Sequence, residues 1–208
     1  MESLLKLRRF LDATPETRAP AQQACELCGA PAGEPHSHVI DVEERRLMCA
    51  CRPCYLLFTH SGAGGGRFRS VSEHYRRVHT PALGNVRWEA LDIPVGIAFF
   101  LKNSKMDRVV AFYPSPAGAT ESGLPLETWN ELVADVPELG TMEPDVEALL
   151  MCHGRERACA WIVPIDACYE LVGRIRGRWR GFDGGEEVWR EIDMFLAGLE
   201  EREATSVP

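Results

Sequence analysis

The sequence predicts an α+β protein, with a small zinc-ribbon-like module followed by a mixed α+β domain that ends in a helical hairpin. Three observations carry this expectation. Five of the eight cysteines fall within residues 25–54, as Cys25-x-x-Cys28 and Cys49-x-Cys51-x-x-Cys54. After residue 86, paired apolar runs rich in strand formers are separated by turn residues. Near the C-terminus, apolar positions recur at the three- and four-residue spacing of a helix face. The implied organisation is an N-terminal helix and linker over residues 1–24, a metal-binding module over 25–60, a Gly-rich connection and short helix over 61–85, and the α+β domain over 86–208.

In chain order, Ser3 can cap a short helix whose Leu4, Leu7, Phe10 and Leu11 share a side, and Pro15 ends it. The Ala-, Pro- and Thr-rich residues 13–24 lack periodicity and read as a linker. Between the cysteine pairs, Val39, Ile40 and Val42 suit one strand, Glu43 and Glu44 an exposed turn, and Arg46 to Cys49 the returning strand. Two Cys-x-x-Cys knuckles joined by a hairpin can close four thiolates around a tetrahedral metal, and Gly29 relieves the first knuckle's turn. The expected ligands are Cys25, Cys28, Cys51 and Cys54. Cys49 is the alternative ligand, because in an extended strand it would share a side with Cys51; otherwise it packs as a small apolar residue. His36 and His38 could reach a metal, but four thiolates already satisfy zinc, so both are read as exposed residues at the strand edge. A closed four-cysteine cage favours structural Zn2+, with Fe in the same cage, as a rubredoxin-like one-electron carrier, the alternative.

The run from Ser61 to Arg67 is Gly-rich but lacks the Gly-Lys-Ser/Thr ending of a phosphate loop, and is read as a flexible connection. Beyond it, residues 95–101 and 109–113 form an expected hairpin. Pro114, Pro116, Gly118 and Gly123 then break into a loop, and a helix is expected over 126–136, ended by Pro137. Residues 146–151 and 158–163 form a second hairpin around Gly154. It would set Cys152 across from Cys159, with Cys168 beyond; without a Cys-x-x-Cys these read as small buried thiols, and His153 as exposed. Asp166 can cap a helix with the stripe Cys168, Leu171, Val172, Ile175 and Trp179 and a surface pair Glu170–Arg174. Asp183 and Glu186 open a second helix with the stripe Val188, Trp189, Ile192, Phe195, Leu196 and Leu199. The spacing of Arg174, Arg176, Arg178 and Arg180 scatters them around a helix, which suits a solvated face rather than a phosphate clamp.

Charge and composition bound the function. The net charge is −8, and residues 1–83 hold eleven Lys and Arg against nine Asp and Glu, leaving twelve against twenty-two for residues 84–208. Such acidity disfavours nucleic acid, whose phosphates are bound by concentrated basic groups. There is no secretory signal and no long uncharged apolar run, so a cytoplasmic protein without a membrane span is expected, with cysteines kept for metal or redox chemistry rather than structural disulfides. No nucleophile–base pair, His-Glu-x-x-His motif or paired carboxylates license an enzyme assignment.

The segments CELCG, CACRPCYLLF, GAGGGRF, PIDACYELVGRIR and WRGFDGGEEVWREI resemble an uncharacterised bacterial family often encoded beside uptake nickel–iron hydrogenases, notably in actinobacteria. The resemblance spans both ends of the chain but not residues 70–147. It implies an accessory or assembly role around a metalloenzyme, with a hydrogenase subunit or maturation factor as protein partner, and it matches the metal-like motif at Cys25, Cys28, Cys51 and Cys54.

Overall fold

A computed structural model describes residues 23–60, 62–78, 88, 93, 95–122, 126–153, 158–181 and 184–205. The expected N-terminal helix, the cap at Asp183 and the turn at Gly154 lie outside these residues.

The first unit is built on a three-stranded antiparallel sheet of order β2-β1-β3. Its hairpin is β1 (Ser37–Asp41) and β2 (Arg46–Ala50), in the register His38 opposite Cys49 and Ile40 opposite Leu47. Asp41 closes the turn by accepting the backbone N–H groups of Glu43 and Glu44, while Arg45 takes a positive φ of 53°. Helix α1 (Arg52–Leu57) follows directly. The Gly-rich run is more than a connection. Gly62, Gly64, Gly65 and Gly66 all have positive φ and make a tight, kinked turn, which delivers β3 (Phe68–Ser70) to the free edge of β1. The side chains of Phe58 and Phe68 pack together at 5.3 Å between ring centroids, so the turn is tethered at both ends.

The second unit is a six-stranded antiparallel sheet of order β4-β9-β8-β5-β6-β7. The strands are β4 (Arg76–Arg77), β5 (Ile97–Asn103), β6 (Arg108–Ser115), β7 (Gly118–Ser122), β8 (Glu147–His153) and β9 (Ala158–Pro164). Both expected hairpins form, as β5–β6 and β8–β9. The segment after Pro114 is a strand where a loop was expected. Gly118, at φ 121°, lets the chain reverse tightly enough for β7 to pair with β6, and short strands of polar residues are specified by such pairing rather than by an apolar pattern.

Alternation divides the sheet into two apolar faces. Ile97, Phe99, Val110, Leu150, Trp161 and Val163 face α3 (Ile165–Arg176) and α4 (Gly185–Thr205). Ala98, Phe100, Ala111, Leu149, Met151 and Ile162 face α2 (Leu126–Asp135) and the 3-10 turn Pro137–Thr141. The stripes read for α3 and α4 are the buried ones, except that Trp179 lies beyond the end of α3 and Trp189 is partly buried. Gly96 marks a close approach, since a Cβ there would lie 2.6 Å from the His153 carbonyl oxygen and 2.5 Å from Trp189.

The small sheet lies against one end of the large one. Ile40 and Val42 bury against Val146, the Tyr55 hydroxyl donates to the Val71 carbonyl at 3.1 Å, and the Arg69 guanidinium donates to the Pro144 carbonyl and to Glu143. Among the described residues, no helix is long and apolar enough to cross a membrane.

Candidate metal centre

The two knuckles are built by backbone hydrogen bonds. In the first, Cys25 N–H donates to the Ala30 carbonyl at 2.7 Å and Gly29 N–H to the Cys25 carbonyl at 2.8 Å, with Gly29 at φ 76°. In the second, β2 stops at Ala50 and the chain turns into α1, with Cys51 as its N-cap residue, Pro53 in the first turn, and Tyr55 N–H donating to the Cys51 carbonyl at 2.9 Å. Proline fits there because the first-turn N–H groups have no helical acceptor. The sulfurs of Cys25, Cys28, Cys51 and Cys54 lie within 4.8 Å of one another, and those of Cys28 and Cys51 are 3.6 Å apart. A tetrahedron of 2.3 Å metal–sulfur bonds has edges of about 3.8 Å. The quartet can therefore hold a metal ion with little movement. Cys25, Cys51 and Cys54 are buried against Val39 and Ala50, and Cys28 is exposed.

The thiols are electrostatically unequal. Burial works against ionisation of Cys25, yet hydrogen bonds from the backbone of Cys51, Cys28 and Leu27 outweigh it and bring the thiol down to about 6. Burial pushes Cys54 up to about 12, helped by its hydrogen bonds with Cys28 and Cys51. Cys28 is favoured by the Ala30 N–H and by Cys54, but its bonds with Cys25 and Cys51 and its desolvation raise it on balance. Burial thus keeps the Cys54 thiol protonated beside a Cys25 that ionises readily, and a bound cation favours the deprotonated form that a metal ligand must take.

Cys49 stands apart from this quartet. Strand β2 ends at Ala50, and the helix that starts after Cys51 sets Cys51 beside Cys54 in the quartet, leaving Cys49 in a separate group. Cys49 instead sits opposite His38, and its sulfur, His36 and His38 form a second group whose ligand atoms all lie within 4.8 Å. The histidines are half-buried at the seam between the two units, not exposed at a strand edge. Their rings meet edge-on at 4.8 Å between centroids. His38 Nδ1 donates to an Asp166 carboxylate oxygen at 2.8 Å, and His36 Nε2 is buried with no hydrogen-bond partner among the described residues. Burial raises the Cys49 thiol, and the charges of Glu26 and Cys25 add to this. Glu26 accepts the Cys49 N–H at 2.8 Å and pairs with Arg46, which ties it along β2.

Asp166 does not cap α3. The N-cap residue is Pro164 and no side-chain cap bond forms, so the carboxylate is free to reach across to β1. His36, His38 and Asp166, with Arg52, Tyr55 and Glu73, line a cavity of about 520 Å3. The alternation His36-x-His38 opposite Cys49 could have been found by pairing the hairpin about its Glu43–Glu44 turn; the remote Asp166 carries no such local signal.

Other candidates resolve differently. Cys152 and Cys159 are directly opposite in the β8–β9 ladder and are joined as a disulfide, a correction to their reading as free buried thiols. Cys168 is the buried thiol expected, and burial raises it well above its ordinary range. His153 is not exposed but stacks on Trp88 at 5.7 Å between centroids. Arg174 pairs with Glu170 and Arg178 with Glu191, as on a solvated helix face.

A protein-family model described as a family of unknown function, DUF5947, matches residues 24–203. No curated protein and no solved structure matches the chain.

Proposed function

The chain belongs to the DUF5947 family, whose function is unknown, and from that premise we propose that it is a non-enzymatic accessory protein whose four-cysteine site carries structural zinc and stabilises a module that docks on a protein partner. The observation that carries this reading is the quartet of sulfurs at Cys25, Cys28, Cys51 and Cys54, which supplies all four corners of a tetrahedral site and leaves none for a reacting ligand. A closed site of this kind contributes folding free energy rather than chemistry. Next to it, Leu56 and Leu57 on α1 are 53% and 65% exposed, an apolar pair that a partner can cover. The partner is, on the resemblance set out above, a hydrogenase subunit or a maturation factor. An acidic chain suits a protein surface better than nucleic acid.

A second reading rests on the exposure of Cys28. Iron in the same cage would have one sulfur at the surface, as transfer of a single electron to a docked partner requires. Metal analysis and a visible spectrum of the full-length protein from its native host separate the two. Colourless protein whose zinc is lost on Cys54→Ser is expected, and red iron-loaded protein would transfer the assignment to the electron carrier. Co-purification under hydrogen-oxidising growth tests the partner. Recovery without any hydrogenase component would remove that part of the proposal.

A further inference from the structure

We propose that His36, His38 and Cys49 form a second metal site, distinct from the four-cysteine site, which takes a borderline divalent cation such as Zn2+ through three protein ligands and leaves its fourth position to a water or small ligand from the adjoining cavity. Three independent features meet at this place. The ligand atoms of the three residues lie within 4.8 Å of one another. The Nδ1–H of His38 is engaged by Asp166 at 2.8 Å, the carboxylate–histidine arrangement that fixes the tautomer, aims Nε2 and raises its basicity toward a metal. His36 contributes a buried Nε2 without a partner among the described residues. A polar nitrogen left so is costly, and a cation bound by the ring repays that cost.

The donor set selects the cation. Two imidazoles and one thiolate suit zinc and its neighbours in the transition series, and they are poor ligands for Mg2+ or Ca2+, which take oxygen. Bonds of 2.0 Å to nitrogen and 2.3 Å to sulfur place tetrahedral ligands about 3.3–3.6 Å apart. The three side chains therefore draw together by at most about 1.5 Å on binding, a movement within reach of imidazole and thiol rotation. Where the quartet is closed, this site is open. Three protein ligands with one exchangeable position is the pattern of zinc that binds or activates a fourth ligand, and His36 and His38 both line the 520 Å3 cavity. Because the β1–β2 hairpin and the residue just before β1 supply the ligands and α3 supplies Asp166, occupancy would also clamp the small unit to the large one.

The test is a titration of the metal-free full chain with Co2+, followed by Zn2+ displacement. Two equivalents are expected. One shows the strong thiolate charge-transfer absorption of a four-cysteine site and is lost in Cys54→Ser. The other, with the weaker absorption of a single thiolate, is lost in His36→Asn/His38→Asn and in Cys49→Ala. Asp166→Asn leaves all three ligands in place and is expected to weaken the second equivalent about 10- to 100-fold while the first is unchanged; it also decides the matter should the ligand variants fail to fold. A single equivalent that is lost in Cys54→Ser overturns the proposal, as does a second equivalent indifferent to His36, His38, Cys49 and Asp166. A single equivalent lost with the histidines but retained in Cys54→Ser would support this site and remove the four-cysteine one.

Discussion

The two units of the molecule are held together by different physics. The large sheet is covered on both faces, and each face has its own extensive apolar core, with Phe99, Phe100, Leu149, Leu150 and Trp161 all at 2% exposure or less. The small unit's own apolar cluster has five buried residues, of which three are cysteines and Val39 and Ala50 the others, while its buried Ile40 and Val42 pack against Val146 of the large unit instead. So few apolar side chains cannot offset the entropy of ordering the two knuckles and the glycine turn. One unit is stable by area and the other by a few specific links. The largest expected effect follows from this. On the structural-zinc proposal, stripping metal with a chelator, or Cys54→Ser, should release the small unit while the large one stays folded. Structural zinc contributes about 10–16 kcal/mol in comparable peptides, as much as the whole stability of many domains. Hydrogen exchange should show protection lost over residues 25–70 and kept in β5, β8 and β9; unchanged protection in β1 and β2 would break the comparison.

The converse experiment lies in the large unit. Leu150 is fully buried on the middle strand pair, and Leu150→Ala should cost about 2–5 kcal/mol through lost burial and the cavity left behind. Its denaturation midpoint should fall by the same amount with and without chelator. A chelator-dependent loss would mean that the two units unfold as one.

The same contrast explains what is legible in the sequence. Elements that stand on their own apolar pattern are readable: the β5–β6 and β8–β9 hairpins, the stripes of α3 and α4, and the β1–β2 hairpin with its charged turn. The four cysteines can be paired into one site because Cys-x-x-Cys spacing is itself a local geometry. What escapes depends on neighbours distant in the chain. Strands β3 and β7 are short, and each exists because an edge is available to it. Asp166 has every local attribute of a helix cap, but Pro164 starts the helix and His38, 128 residues away, takes the carboxylate. The hairpin pattern sets Cys152 opposite Cys159, but composition favours free thiols in such strands and does not reveal a bond between them.

The specific links of the small unit should show in its acid response. Asp41 is 2% exposed and accepts two hydrogen bonds from Arg67, at 2.9 and 2.6 Å. These bonds hold its carboxyl below the usual range against the opposing effect of burial, and the N–H groups of Glu44 and Glu43 assist. A carboxyl lowered by folding contributes stability that is fully present above its unfolded value, about 3.9, and is lost as the pH falls through its folded value. Protection of β1 and the glycine turn should therefore hold at pH 6 and fall away below about pH 4. Asp41→Asn should lower protection at pH 6 and flatten that acid limb. An unchanged acid limb in the variant would place the titrating group elsewhere.

Glu170 is the matching polar link in the large unit, and here the smallest effect is expected. Its carboxylate accepts hydrogen bonds from Arg202 of α4, at 3.1 Å to one oxygen, and from Arg174 one turn along α3. Burial opposes its ionisation, but Arg202 and Arg174 outweigh this and lower its pKa. The carboxylate is about as exposed as Arg202, at 35% and 36%, so water and salt screen the pair. The helices it joins are already fixed by Leu171, Ile175, Ile192 and Phe195 beneath it. Glu170→Gln should cost about 0.3–1 kcal/mol at low ionic strength, shrinking further in high salt. A loss approaching that of Leu150→Ala would mean that the α3–α4 hairpin, like the small unit, depends on a specific charge rather than on buried area, and the contrast between the two units would then hold for the sheet alone.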